Sequence, residues 1–229
     1  MKQLKLSKSE EFARKHCIIT MPKIRLYVGW KLYDKEGSVV SQWKDEAHSF
    51  VRNFKNMERT MFFAVNADDG ADWNEGFLNF KNTSGAVVYT SKAIFCRYAS
   101  ETPQGYRIGI YNDVGIQVGT GVTGVTQDDY KLDTLISTGS SAGQLTYGTV
   151  VATNTYYPDT KIWEMNYTRN FVNNSGGSIT VNEQGMHFWV YRDNSEGGML
   201  VARDLIAPVT INNGANASFE YDMQMTFPA

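Results

Sequence analysis

The stretch KIWEMNYTRNFVNNSGGSITVNEQGMHFWVYR, residues 161–192, decides the fold. Two long runs, Lys161–Val172 and Ser178–Arg192, flank the cluster Asn173-Asn174-Ser175-Gly176-Gly177. Aromatic and β-branched residues on both sides of an Asn/Ser/Gly turn read as consecutive strands. Toward the C-terminus the pattern repeats as Met199–Ile211, the turn Asn212-Asn213-Gly214, and Ala217–Phe227. Working backward, shorter candidates occupy Gln144–Ala152, Gly115–Val118, Tyr106–Ile110, Ile94–Arg97 and Ala86–Tyr89. Near the N-terminus, Ile24, Leu26 and Val28 alternate with Arg25 and Tyr27, and the run extends toward Tyr33. It turns at Asp34-Lys35-Glu36-Gly37 and returns through Val39 and Val40 to Trp43, a hairpin pattern. Successive strands with short turns predict a mainly β chain, with an antiparallel β-sandwich or jelly-roll-like body and one helix near the N-terminus.

That helix is expected after Asp45, a capping residue, with Phe50, Phe54, Met57 and Met61 at helical spacing. Arg52, Lys55, Glu58 and Arg59 fall mostly on the other face, so the apolar stripe is expected to pack on the protein's own sheet. A loop opens at Asp68-Asp69-Gly70-Ala71-Asp72 and runs through Asn82-Thr83-Ser84-Gly85. The organisation expected is a basic N-terminal arm over 1–20, a β-hairpin plus helix over 21–65 docked on the body, and a β-sandwich body over 66–229.

Composition fits this reading. With 229 residues, 42% hydrophobic and 20% charged, the chain can bury a core, and thirteen Tyr, twelve Phe, five Trp and twenty Gly favour strands and turns. Cys17 and Cys96 lack metal-binding spacing and read as reduced thiols. No apolar run approaches a membrane helix, and no secretory pattern precedes Pro22. The net charge of −2 is unevenly distributed: residues 1–35 hold nine Lys/Arg against three acids, leaving thirteen basic and twenty-one acidic residues in the remainder. Lys2, Lys5, Lys8, Arg14 and Lys15 make the leading segment a candidate assembly arm for an acidic neighbour or a copy of itself. Nucleic acid is disfavoured, because Tyr27, Trp30 and Tyr33 fit a strand pair better than a base-stacking surface.

Several short motifs could carry chemistry. Gly119-Thr120-Gly121-Val122-Thr123-Gly124 matches GxGxxG, but a dinucleotide site needs that loop to open a helix, and strand-like residues come next. Gly139-Ser140-Ser141-Ala142-Gly143 matches GxSxG, yet the next residues, Gln144–Tyr147, read as a strand and not as the required helix. His187 as base with Asp159 as orienter would be an arbitrary completion of that triad. Glu164 and Glu183 lie on strands that could pair, with Trp163 and Trp189 nearby, so a two-carboxylate glycosidase arrangement is the hydrolase alternative. Asp128-Asp129 and Asp68-Asp69-Asp72 lack EF-hand spacing. His16, His48 and His187 form no zinc pattern. No catalytic residue, cofactor or metal is assigned.

Three segments, taken in order, resemble virion structural proteins of tailed bacteriophages: Gly115–Ile136 (GIQVGTGVTGVTQDDYKLDTLI), Arg169–Gly185 (RNFVNNSGGSITVNEQG) and Val201–Gly214 (VARDLIAPVTINNG). Ser49–Phe54 (SFVRNF) is similar to an element near their N-termini, whereas Gln184-Gly185-Met186-His187 departs from the more usual Val/Ile-Gly-Leu/Ile-Tyr. The resemblance implies a non-enzymatic structural component, assembled in the host cytoplasm into the virion, in many copies on the capsid or tail. Its partners would be copies of itself and other virion proteins, such as the major capsid or tail protein. A carbohydrate- or receptor-binding module is the alternative, with Trp73, Trp163 or Trp189 in a groove facing a host-surface glycan.

Overall fold

A computed structural model describes residues 23–47, 50–56, 79–89, 106–107, 114–190 and 197–226. Among the described residues there are eleven strands: β1 Lys23–Tyr33, β2 Val39–Ala47, β3 Asn79–Lys81, β4 Val87–Tyr89, β5 Tyr106–Arg107, β6 Gly115–Gly119, β7 Thr146–Tyr157, β8 Ile162–Val172, β9 Ile179–Val190, β10 Gly197–Ile211 and β11 Asn216–Thr226. One short helix among the described residues, α1, covers 52–56. The fold is mainly β, with two antiparallel sheets in a sandwich-like body. One sheet has the order β2-β1-β11-β8-β7; the other runs β10-β9-β5, with β6 also paired to β9, and β3–β4 form a separate hairpin.

Register explains which residues enter the core, because directly opposed residues share a face. Val28 opposes Tyr221, which opposes Tyr167; Trp30 opposes Phe219, which opposes Arg169; Leu32 opposes Ala217, which opposes Phe171. These rows meet Ile116, Val118, Val181, Met186, Val201, Ile206 and Val209 of the second sheet in one apolar cluster. The opposite face of the five-stranded sheet is polar: Lys44 on β2 reaches Glu220 at 3.2 Å and Asp222 at 3.1 Å on β11. Polar ties also cross between the sheets. Trp30 Nε1 donates to the Ala207 carbonyl at 2.9 Å, and Gln184 Nε2 donates to the Glu220 carbonyl at 2.8 Å.

The N-terminal hairpin is continuous with the body, since β1 pairs with β11 from Lys23 to Tyr33. The predicted helix is shorter at its start. Asp45 does not cap it: it sits inside β2 opposite Val28, where strand pairing holds its backbone. Phe50 precedes α1 and bridges to Ala202, and its ring stacks on Phe54 at 3.7 Å. Phe54 is buried in the core cluster, as expected of a helix packed on its own sheet. Asn53 locks this segment in place by donating to Lys81 O and Leu200 O, each at 2.9 Å. Met57, Met61, the Asp68–Asp72 loop, Ile94–Arg97 and both cysteines lie outside the described residues.

Two chain crossings tie the sheets together at one end. The Asn173–Gly177 turn carries the chain from β8 to β9, and the Asn212–Gly214 turn returns it from β10 to β11. Asn173 is fully buried between them. Its Nδ2 donates to Ile211 O at 2.6 Å and Gly177 O at 2.8 Å, and its Oδ1 accepts from Ser175 N at 3.0 Å and Ser175 Oγ at 2.7 Å. Gly176 N in turn donates to Asn213 Oδ1 at 2.9 Å. A positive φ at Gly176 (85°) and Gly214 (82°) makes glycine the fitting residue in each turn. Asn173→Ala leaves the buried Ile211 carbonyl without its side-chain donor and removes the bonds to Gly177 and Ser175. It is expected to lower unfolding free energy by about 3 kcal/mol in urea denaturation, the scale of several lost buried hydrogen bonds.

Candidate functional site

The densest cluster of polar chemistry among the described residues centres on Glu183, which is fully buried on β9. A buried carboxylate needs hydrogen-bond donors or it destabilises the fold. Here Oε1 accepts from Thr134 N at 2.8 Å and Gly121 N at 3.2 Å, while Oε2 accepts from Asp133 N at 3.0 Å and Arg203 Nε at 2.8 Å. Arg203 reaches across from β10, one strand away. It also donates through Nη1 to Asp129 Oδ2 at 2.8 Å and through Nη2 to Thr123 O at 3.0 Å. Burial penalises the Arg203 cation, but its bonds to Asp129 and Glu183 outweigh that penalty, and the net effect raises its pKa. Neighbouring Asp128 pairs with Arg52, and Asp129 also binds Thr126 N at 3.0 Å.

This geometry accounts for the glycine-rich motif after β6. A Cβ at Gly119 or at Gly121 would lie 2.4 Å from Glu183 Oε1, and at Gly121 also 2.5 Å from Asp133 Cβ. Those two glycines are required because the chain passes directly over a buried carboxylate. No helix comes after them among the described residues, so the loop lacks the helix terminus a pyrophosphate needs. The segment is held at its other edge by Thr120 N to Thr134 O (2.9 Å) and Ile136 N to Val118 O (3.0 Å). A cavity of about 150 Å³ opens beside it, lined by Thr123, Asp128, Asp129, Tyr130, Asp133 and Arg203, among others. Glu183 and His187 are not among its lining residues, and Arg203, Asp128 and Asp129 already have partners.

A second buried polar group lies further along β9. His187 is almost completely buried, and its Nδ1 has no hydrogen-bond partner. Its pKa is lowered from 6.5 to about 3: burial is the main cause, the backbone at Gly185 and Gly115 opposes it, and the Arg169 cation adds to it. Arg169, on β8, donates to Gly148 O at 2.7 Å, Val114 O at 2.8 Å and Ile116 O at 3.0 Å, so it joins the two sheets. Its guanidinium lies 4.8 Å from the centroid of the Tyr147 ring.

The other sequence candidates separate in space. Glu164 and Glu183 do not share a sheet: β8 pairs with β11 and β7, whereas β9 pairs with β10, β5 and β6. The apolar patterning that brings Phe171 and Val181 to one core assigns the two strands to opposite layers, which overturns the paired-carboxylate arrangement. Glu164 instead accepts from Gln224 at 3.0 Å. The GxSxG segment is a turn leading into β7, where Ser141 N donates to Gln144 Oε1 at 3.0 Å and Gly143 has φ of 78°. Asp159 lies exposed in the β7–β8 turn. Trp163 is half-buried and its Nε1 donates to Asn154 Oδ1. Lys2, Lys5, Lys8, Arg14 and Lys15 of the basic arm, together with Trp73 and the Trp189 side chain, lie outside the described residues. Sequence reasoning misses the Glu183–Arg203 pair. The available signal is one acid in TVNEQGMHF and one base in LVARDLI, both at positions inside strand-like segments.

No protein-family model, curated protein or solved structure matches this chain.

His187 makes stability depend on pH. Below pH 6.5 the unfolded chain binds a proton that the folded chain refuses until about pH 3. Unfolding free energy should therefore fall as pH drops through that window, by about 1.4 kcal/mol per unit in its steep part. Urea denaturation of His187→Gln between pH 7 and pH 4 should show a shallower acid loss than wild type.

Proposed function

We propose that the chain is a non-enzymatic structural component of a bacteriophage virion, assembling in many copies on the capsid or tail through its sheet surfaces and its basic N-terminal segment. The observation that carries this reading is the contrast between interior and surface. The buried Glu183, Arg203 and Asn173 hold loops in place, and each has its partners within the protein. The far end of the five-stranded sheet, by contrast, leaves apolar rows open. Ile24, Met225, Trp163 and Tyr156 oppose one another across four strands, beside the row Leu26, Met223, Met165 and Asn154. Apart from buried Leu26, these side chains are half-buried or exposed, and Tyr156 is 55% exposed. A contiguous apolar surface rimmed by polar residues suits contact with another protein. Repetition on a symmetric particle sums many modest contacts of this kind.

The ordered resemblance of residues 115–136, 169–185 and 201–214 to tailed-phage virion proteins supports the setting. In this fold those segments are the clip over Glu183, the Asn173 crossing and the strand that supplies Arg203. A glycan-binding surface is the second reading, favoured by half-exposed Trp163 beside Tyr156 on one face. Electron microscopy of purified particles tests the proposal: density for this chain is expected at symmetry-repeated positions. Particles that lack the chain altogether would contradict it.

A further inference from the structure

The sandwich has four long outer edges among the described residues, and three are blocked. Edge strand β2 carries Lys44, Asp45 and Glu46, with Lys44 tied to Glu220 and Asp222. The edge of β10 is met by Val51 N on Val201 O at 3.1 Å and by Thr83 N on Gly198 O at 3.1 Å. The edge of β6 is met by the 134–136 segment. Charged residues and covering segments are the usual protection of edges against unwanted pairing.

The start of strand β7 is met by the 138–139 segment, where Tyr147 N donates to Thr138 Oγ1 at 3.4 Å, but from Val151 to Tyr157 the strand has neither protection among the described residues. Its twelve residues, TYGTVVATNTYY, include no Lys, Arg, Asp, Glu or Pro. It pairs only with β8 among the described strands, and after the irregularity at Tyr147/Val150 the ladder is regular through Tyr157. Every side chain from Val151 to Tyr157 is exposed, including Val151 at 58% and Tyr157 at 43%.

We propose that this edge pairs antiparallel with the β7 edge of a second copy of the chain, about a twofold axis at Asn154, to make one sheet continuous across two molecules. This names the partner left open by the proposed assembly role and takes its setting from that reading. The strand is self-complementary in this register. Val151 of one copy meets Tyr157 of the other, Ala152 meets Tyr156, and Thr153 meets Thr155. Aromatic–β-branched and Thr–Thr pairs are favourable cross-strand neighbours, and a strand without charge opposes no like charges to itself. A twofold interface requires such self-complementarity. The register also joins the row Leu26, Met223, Met165 and Asn154 of one copy to the same row of the other, extending that face across the pair.

Sedimentation velocity of the full-length chain over a concentration series tests the proposal. Wild type is expected to pass from monomer to dimer. Thr153→Lys/Thr155→Lys and Thr153→Glu/Thr155→Glu should each shift the midpoint at least about tenfold toward monomer, because like charges then face each other across the axis. An equimolar mixture of the two should restore the dimer, with circular dichroism confirming that each variant is folded. Monomeric wild type at every concentration, open-ended aggregates, or variants that dimerise as well as wild type would overturn it. Monomeric wild type that enters particles, with a double-Lys variant that does not, would give the edge to a different virion protein and also overturn the second-copy assignment. Dimers in solution with no chain in particles would support the pairing and contradict the virion role, so the two ideas fail separately.

Discussion

The fold depends on satisfying one carboxylate. Glu183 is sealed at the middle of β9, and its four N–H partners come from Gly121, Asp133, Thr134 and Arg203. Removing a partner from a buried, hydrogen-bonded ion pair typically costs about 3–5 kcal/mol, comparable to a large share of a domain's stability. The segment from Gly119 to Ile136 contains only an isolated bridge and turns, yet it covers β9 because the carboxylate recruits its amides. Gly185 is closed over by Leu132 and Leu200, whose side-chain atoms would lie 2.8 and 2.9 Å from a Cβ there. A loop held this way behaves as part of the core.

The same logic extends through the interior. Asn173 serves both crossings between sheets, and Arg169 links β8 to the start of β6. Tyr147 donates its hydroxyl to Ile136 O, and burial pushes its pKa up to about 12. These groups stabilise connections; what they leave for contact with other molecules is the outer surface. That surface is uneven. One edge strand is charged and bonded within the molecule, and the opposite edge of the same sheet, β7, is uncharged and, over 151–157, uncovered among the described residues. The proposed role in a virion rests on that asymmetry and on the apolar rows beside it.

Much of the architecture is legible in the sequence because it obeys local rules. Alternation at Ile24, Leu26 and Val28 marks β1, and the Asp34–Gly37 turn marks the hairpin, with Gly37 at φ 88°. The glycine-rich clusters at 173–177 and 212–214 mark the crossings. Asp45 misleads because capping and strand pairing use the same residue types, and only the partner strand decides between them. Glu164 and Glu183 look like neighbours because a sequence does not state which strands pair; the order β11-β8-β7 separates them. The Glu183 cluster gathers residues 62, 50, 49 and 20 positions apart in the chain, so no local pattern announces it. Glu183 inside β9 and the Arg203-Asp204 pair inside β10 are the mark it leaves.

In the proposed assembly, copies meet by edge and face contact while the buried polar groups stay structural. Amide hydrogen exchange on the full-length chain, dilute and then concentrated, reads both parts at once. The account predicts that amides over 151–157 slow on concentration while those of Gly121, Asp133 and Thr134 are protected in both conditions. Equal exchange over 151–157 at all concentrations, with protection changing instead around Glu183, would contradict it.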